Sequence, residues 1–144
     1  MLIETMDFGL VEIREEDIID FPNGIYGFGD NKKFVMLKNP DNEWMMHLQA
    51  ADSPKPRFIL LDPYMFVGDY KPILPAEADE IFGTRDPGRL SVFVIACIPG
   101  NIRDMTVNFK SPVIIDFDKK VGAQLILENG DYSVRTRLFD SGDK

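Results

Sequence analysis

The chain has 144 residues, of which 44% are hydrophobic and 28% are charged, a composition that indicates a globular protein and excludes an extended disordered one. Its formal net charge of −8 argues against direct nucleic-acid binding, because neutralising phosphates requires clustered Lys and Arg side chains. No apolar run is long enough to span a bilayer. We therefore expect a soluble cytoplasmic protein, and the acidic balance favours a basic protein partner.

Short apolar segments rich in β-branched and aromatic residues predict an all-β fold. The predicted strands are, in chain order, 10–13, 34–37, 58–61, 90–98, 105–109, 113–117 and 123–127. The segment 90–98 is apolar throughout, which is typical of a central strand covered on both faces. Only Pro75 to Phe82 is predicted to be helical, because it begins with Pro, carries acids in its first turn and is followed by Gly83. The whole pattern predicts an antiparallel β-barrel, or a barrel-like sandwich, with one short helix.

Neither a low-complexity linker nor an internal repeat divides the chain. We predict a single β domain over residues 1–139. The last residues, 140–144, are small and charged, and we expect this acidic tail to fray.

The residues that could carry catalysis are few. His47 is the only histidine, and without further His or Cys at ligand spacing it cannot anchor a metal site by itself, so we interpret it as a strand histidine with ordinary hydrogen bonds. Cys97 stands in an apolar run, which favours a buried, unreactive thiol. The acid clusters at 15–17 and 77–80 lack the alternating spacing of a calcium loop. We expect a binding protein with no metal and no cofactor, and not an enzyme.

The segment FPNGIYGF, from Phe21 to Phe28, is too apolar for an ordinary solvated loop and too rich in Gly and Pro for a helix. Phe21, Ile25 and Phe28 are expected to fold back onto a barrel end as a plug. Direct contact with a partner is the alternative use of these side chains.

Four blocks of the sequence together resemble the FliW family of flagellar assembly factors. In chain order they are FPNGIYGF at 21–28, FILLDPYMFVGDY at 58–70, MTVNFKSPVIID at 105–116 and GAQLILENGDYSVR at 122–135. They follow the order of the family and extend over nearly the whole chain.

The resemblance implies a non-enzymatic cytoplasmic regulator. Members of this family bind flagellin and also bind CsrA, a small basic RNA-binding dimer that represses translation of flagellin messenger RNA. Binding of CsrA relieves the repression, and accumulated flagellin occupies the factor and frees CsrA. The alternative from a different functional class is a small β-barrel that binds a small ligand in its interior.

Two segments are candidates for partner binding. The first is the turn after the longest predicted strand, which is unusually aliphatic for a solvated connection and contributes Ile98, Pro99, Asn101, Ile102 and Met105. The second is an aromatic stretch with an acid, which contributes Tyr64, Phe66, Asp69 and Tyr70. The alternative is that these side chains turn inward and close the barrel end.

Overall fold

The computed structural model describes residues 1–139, so the predicted acidic tail at 140–144 lies outside the described residues. The strands are β1 (Leu2–Thr5), β2 (Gly9–Glu12), β3 (Ile19–Asp20), β4 (Lys33–Lys38), β5 (Met46–Ala50), β6 (Arg57–Leu61), β7 (Ser91–Cys97), β8 (Thr106–Asp116), β9 (Val121–Gln124) and β10 (Thr136–Arg137). Single 3-10 turns occupy Glu15–Asp17, Pro63–Met65, Pro87–Arg89 and Ile102–Asp104, and the helix α1 spans Glu77–Phe82.

Seven of these strands form a closed barrel. Their order is β8-β7-β6-β5-β4-β3-β9, and β9 pairs with β8 to complete the ring. All pairs are antiparallel except β3 with β9, where Asp20 pairs in parallel with Val121. The short β10 adds to β8 outside the ring. The prediction of an antiparallel barrel with one short helix is therefore confirmed, and the parallel pair of β3 with β9 was not predicted.

Period-two alternation along the strands produces three apolar clusters. One face of each barrel strand fills the interior, where Phe21, Phe34, Leu48, Leu60 and Ile115 are fully buried. The outward faces of β6 to β9 form a second cluster that is covered by α1 and by the loop before it. The outward faces of β4 and β5 are covered by the β1–β2 hairpin, which forms the third.

The helix begins two residues later than predicted and ends where predicted. Its four-residue spacing turns Ala78 and Phe82 towards the second cluster. Gly83 follows it with a φ of 75°, a left-handed conformation that glycine adopts without steric cost. Among the residues that the structure describes, no helix is long and apolar enough to cross a membrane.

The tip of the β1–β2 hairpin is tied to the barrel by two buried polar side chains of β5. Gln49 accepts a hydrogen bond from the Met6 N–H at 3.0 Å through Oε1. His47 contacts Asp7 Oδ2 at 3.0 Å through Nδ1 and the Asn39 amide at 3.2 Å through Nε2. Arg57 donates to both oxygens of Asp7, at 2.6 and 3.0 Å. The interpretation of His47 as a strand histidine with ordinary hydrogen bonds is confirmed.

The FPNGIYGF segment follows β3 and caps the barrel interior. Phe21 and Ile25 are buried in the interior cluster, as predicted. Phe28 is 44% exposed and its ring packs edge to face against that of Phe58 at 5.3 Å, so the prediction holds for it in part. Gly24 has a φ of 66°, and a Cβ there would stand 2.7 Å from the Gly29 Cα, so this tight turn requires glycine.

Three predictions made from the sequence need correction. Cys97 is exposed and not buried, because β7 ends at this residue, beyond the covered part of the barrel. The rest of β7 is covered on both faces, as predicted, with Val94 in the outer cluster and Ile95 against the interior one.

The separate strands predicted at 105–109 and 113–117 are one strand, β8, which runs through the buried Pro112. Four strands were not predicted, namely β1, β3, β5 and β10.

Candidate protein-interaction surface

The turn between β7 and β8 divides its predicted contact residues between surface and core. Ile102 is 42% exposed and Pro99 is also exposed, whereas Ile98 is half-buried against the outer cluster and Met105 is fully buried. Asn101 caps the 3-10 turn at Ile102–Asp104, because its Oδ1 accepts a hydrogen bond from the Arg103 N–H at 2.9 Å. Ile102 is thus the large apolar side chain that this turn presents to solvent.

The aromatic stretch after β6 is divided in the same way. The Asp62 side chain accepts a hydrogen bond from the Tyr64 N–H at 2.9 Å and begins the 3-10 turn at Pro63–Met65. Tyr64, Met65 and Phe66 are exposed, and the Phe66 ring meets Trp44 edge to face at 6.2 Å. Tyr70, at the end of the stretch, is only 3% exposed. This segment therefore has an apolar outer face and one aromatic anchor in the core.

The anchor belongs to a cluster of three rings. The ring centroid of Tyr70 lies 5.1 Å from that of Phe109 and 4.9 Å from that of Tyr132. Its hydroxyl donates a hydrogen bond to the Phe109 carbonyl oxygen at 2.7 Å. Burial, reinforced by the neighbouring Tyr64 and Tyr132, raises the pKa of the Tyr70 hydroxyl well above its usual value. Tyr70 is therefore a neutral hydrogen-bond donor across the whole physiological pH range.

Asn129 joins the segment after Tyr70 to the segment that carries Tyr132. Its Oδ1 accepts a hydrogen bond from the Ile73 N–H at 2.7 Å, and its Nδ2 donates to the Lys71 carbonyl at 3.1 Å. The Tyr132 hydroxyl accepts a further hydrogen bond from the Lys71 N–H at 2.9 Å. These hydrogen bonds hold two loops that are distant in sequence side by side, one with Lys71 and Ile73 and the other with Asn129 and Tyr132.

A cavity of about 240 Å³ opens between these two loops. The side chains that line it are Val67, Asp69, Tyr70, Phe109, Asp131, Tyr132, Ser133 and Thr136. Asp69 and Tyr70 are the two residues of the predicted site that reach it. Each loop contributes an aromatic and an acidic residue and β8 contributes Phe109, so the cavity exists only in the folded protein.

The strand β10 connects this cavity with the turn between β7 and β8. Thr136 lines the cavity and pairs with Val107 of β8. The next residue, Arg137, donates hydrogen bonds to the Arg103 carbonyl and to Asp104 Oδ1, both at 3.2 Å. The strand β10 therefore contacts both predicted segments, the aromatic stretch through the cavity and the turn between β7 and β8 through Arg137.

The two acid clusters noted in the sequence are partly neutralised by neighbouring arginines. Arg14 forms ion pairs with Glu16 at 3.4 Å and Asp17 at 3.5 Å. Arg85 pairs with Asp79, the second acid of α1, at 2.6 Å. These exposed pairs reduce the local negative charge, and each contributes little to stability.

A larger cavity, of about 540 Å³, has His47 and Cys97 in its lining. The His47 ring nitrogens contact Asp7 and Asn39, which fixes the ring in a structural role. Among residues 1–139, no group of three or more His, Cys, Asp or Glu side chains could hold a metal ion. We assign no chemistry to this cavity.

Sequence reasoning missed Phe109, Asp131 and Tyr132, which complete the aromatic cavity. Phe109 lies within a predicted strand, where an aromatic residue is ordinary. Asp131 and Tyr132 follow Gly130 in a segment that resembles a solvated turn. The one signal in the sequence is that a second aromatic-acid pair, Asp131-Tyr132, repeats the Asp69-Tyr70 pair of the other loop.

Comparison with known proteins agrees with this fold. The FliW protein family matches residues 2–138. A flagellar assembly factor FliW from Moorella thermoacetica is 39% identical over 140 residues, which covers 96% of this chain and 89% of that protein. A second, from Alkaliphilus metalliredigens, is 34% identical over 145 residues, with 100% and 90% of the two chains covered. A crystal structure of the flagellar assembly factor FliW matches with a TM-score of 0.90 and 30% identity, covering 99% of each chain. The chain belongs to the FliW family of flagellar assembly factors.

Proposed function

We propose that this protein is a cytoplasmic partner-switching regulator of flagellin synthesis. It binds flagellin, and when flagellin is scarce it binds CsrA and prevents CsrA from repressing translation of flagellin messenger RNA. The observation that carries this proposal is the match to flagellar assembly factors over nearly the whole chain.

The charge of the protein supports a basic partner. The sequence has 24 acidic and 16 basic residues, which gives −8 at neutral pH. Opposite net charges accelerate the encounter of two proteins and exclude partners of like charge. CsrA, a small basic dimer, has the complementary sign.

The shape of the surface supports a protein partner. Tyr64, Met65, Phe66 and Ile102 are large apolar side chains that stand exposed on two rigid, capped turns. Exposed aromatic and aliphatic side chains on fixed backbone are the usual anchors of an interface, because their burial removes apolar area from water at little conformational cost.

The barrel interior disfavours the alternative of a small-ligand carrier. It is filled by fully buried apolar side chains, namely Phe21, Phe34, Leu48, Leu60 and Ile115. A ligand would have to displace these buried side chains to enter the barrel.

Purified components test the proposal. We expect calorimetric titration to show binding of CsrA to this protein, and of flagellin to this protein, with flagellin displacing CsrA from a preformed complex. In a cell-free translation reaction programmed with flagellin messenger RNA, added CsrA lowers the yield and this protein restores it. Absence of binding to both partners would contradict the proposal, and a stable ternary complex would contradict the switching mechanism.

A further inference from the structure

We propose that the cavity lined by Tyr70, Phe109 and Tyr132 receives an arginine side chain of a protein partner. This inference rests on the proposed function only in that the arginine belongs to a protein that this chain binds.

The walls of the cavity suit a flat cation. Tyr132 is half-buried in its lining, and the buried rings of Tyr70 and Phe109 pack against it and against each other, with ring centroids between 4.9 and 6.4 Å apart. Aromatic faces attract cations through their quadrupole, and a planar guanidinium also stacks on them. A volume of about 240 Å³ accommodates one such side chain.

The polar side chains of the cavity have the matching charge. Asp69 comes from one loop and Asp131 from the other, so each loop contributes an acidic residue to the lining of the cavity. Both residues are exposed, and within residues 1–139 neither carboxylate forms an ion pair. A guanidinium would supply the positive charge that these groups lack, with donors in a geometry that fits a carboxylate.

The cavity is preorganised. The hydroxyl of Tyr70 is held by the Phe109 carbonyl, and that of Tyr132 by the Lys71 N–H, so neither ring is free to rotate away. The two loops are joined by Asn129, which bonds to both Lys71 and Ile73. Because the cavity is already formed, a ligand does not bear the cost of ordering it.

The test uses argininamide as the probe and this protein over its full length. Aromatic ¹H–¹³C NMR spectra follow the ring signals of Tyr70, Phe109 and Tyr132 during titration. We expect argininamide to shift these signals and to bind at least about fivefold more tightly than citrulline amide, its neutral isostere. Lysinamide is expected to bind more weakly than argininamide, because an ammonium does not stack.

Variants separate the carboxylates from the rest of the surface. Asp69→Asn and Asp131→Asn each are expected to weaken argininamide binding about threefold, and the double variant about tenfold. The matched control is Asp118→Asn, an exposed acid in the turn after β8, which is expected to leave the titration unchanged. Argininamide that leaves the ring signals in place, or equal binding of argininamide, citrulline amide and lysinamide, would overturn the assignment.

A second measurement connects the cavity to a partner. The double variant Asp69→Asn/Asp131→Asn is expected to bind CsrA or flagellin at least about fivefold more weakly than the unaltered protein. If it binds argininamide weakly but binds both partners normally, the cavity is not part of either interface and the proposal fails. Failure of the unaltered protein to bind either partner would instead contradict the proposed function, since the argininamide titration is independent of it.

Discussion

The ring of Phe21 packs against the Cα of Gly122 so closely that a Cβ at position 122 would stand 2.5 Å from Phe21 Cζ. Phe21 is fully buried and meets Phe34 edge to face at 5.2 Å, so its ring has no space to retreat. We expect Gly122→Ala to lower the free energy of unfolding by about 1–3 kcal/mol, as overpacking of a rigid core does. Chemical denaturation measures this change.

Gly100→Ala is the matched control for that substitution. A Cβ at Gly100 would meet no heavy atom within 4 Å, and its backbone does not require glycine. We expect it to change stability by less than about 0.5 kcal/mol. Equal effects of the two substitutions would show that the Phe21–Gly122 contact is not as tight as described.

The Tyr70 hydroxyl is expected to stabilise the protein through its hydrogen bond to Phe109. Tyr70→Phe keeps the ring but leaves a buried carbonyl without its donor, so we expect a loss of about 1–2 kcal/mol in the free energy of unfolding. Tyr64→Phe removes an exposed hydroxyl and serves as the control. A loss no larger than that of the control would contradict the role of the hydrogen bond.

The same hydroxyl predicts a pH dependence in the alkaline range. Because its pKa in the folded protein is raised above the usual 10.0, the unfolded chain loses this proton first as the pH rises. The stabilisation is complete below about pH 10 and declines above it. We expect unfolding measured through this range to show a shallower decline in Tyr70→Phe.

Asp7 is expected to stabilise the hairpin above the acid range. Burial acts to raise its pKa, but hydrogen bonds from Arg57 and His47 and their charges outweigh this and lower the pKa below its usual 3.8. Its contribution is therefore present above about pH 4 and is lost as the pH falls through the lowered value. Asp7→Asn is expected to cost about 1 kcal/mol at neutral pH and to flatten the acid dependence, whereas Asp52→Asn, an exposed acid, changes neither.

Ile102 is expected to contribute to partner binding without contributing much to the fold. Ile102→Glu places a charge on an exposed position, so circular dichroism is expected to be unchanged, while CsrA or flagellin binding weakens by roughly 2 kcal/mol. Ile126→Glu is the control, since Ile126 is also exposed, at 51%. Normal binding of both partners by a folded Ile102→Glu protein would exclude this side chain from both interfaces. Tyr70→Ala is unsuited to the same test, because it would delete a core side chain.

Cys97 is expected to react with iodoacetamide under native conditions, because its side chain is exposed at the end of β7. The modification is followed by mass spectrometry without denaturant. Reaction only after addition of denaturant would indicate the buried thiol that the apolar sequence around it predicted.

Most of the barrel strands and the helix were predictable, because their residue types and their ends are visible in the local sequence. Segments such as 58–61 are apolar, include β-branched or aromatic side chains and have clear ends. Gly83 marks the end of α1, because glycine readily adopts the left-handed conformation found there. The missed strand β5 shows the limit. His47 and Gln49 face outward from it and are polar, and they are buried where the hairpin tip covers them. Asp7, forty residues before His47, contacts the His47 ring, and Met6 donates a hydrogen bond to Gln49.

The candidate site was predictable only in part, for a related reason. An aromatic residue in a loop has the same sequence signal whether it points outward, as Tyr64 does, or inward, as Tyr70 does. The direction is decided by a partner ring, Tyr132, which lies far along the chain. The spacing of residues along the sequence does not predict the contact between Tyr70 and Tyr132, so the cavity is seen only in the folded structure.

The parallel pairing of Asp20 with Val121 has a consequence for biosynthesis. The strand β3 leaves the ribosome early, but the partner that closes the ring is translated only when most of the chain already exists. At about 5–20 residues per second, the open sheet waits for several seconds with an unpaired edge. The nascent chain is therefore exposed to misassociation during that interval, and ring closure is a late event that follows the synthesis of β9.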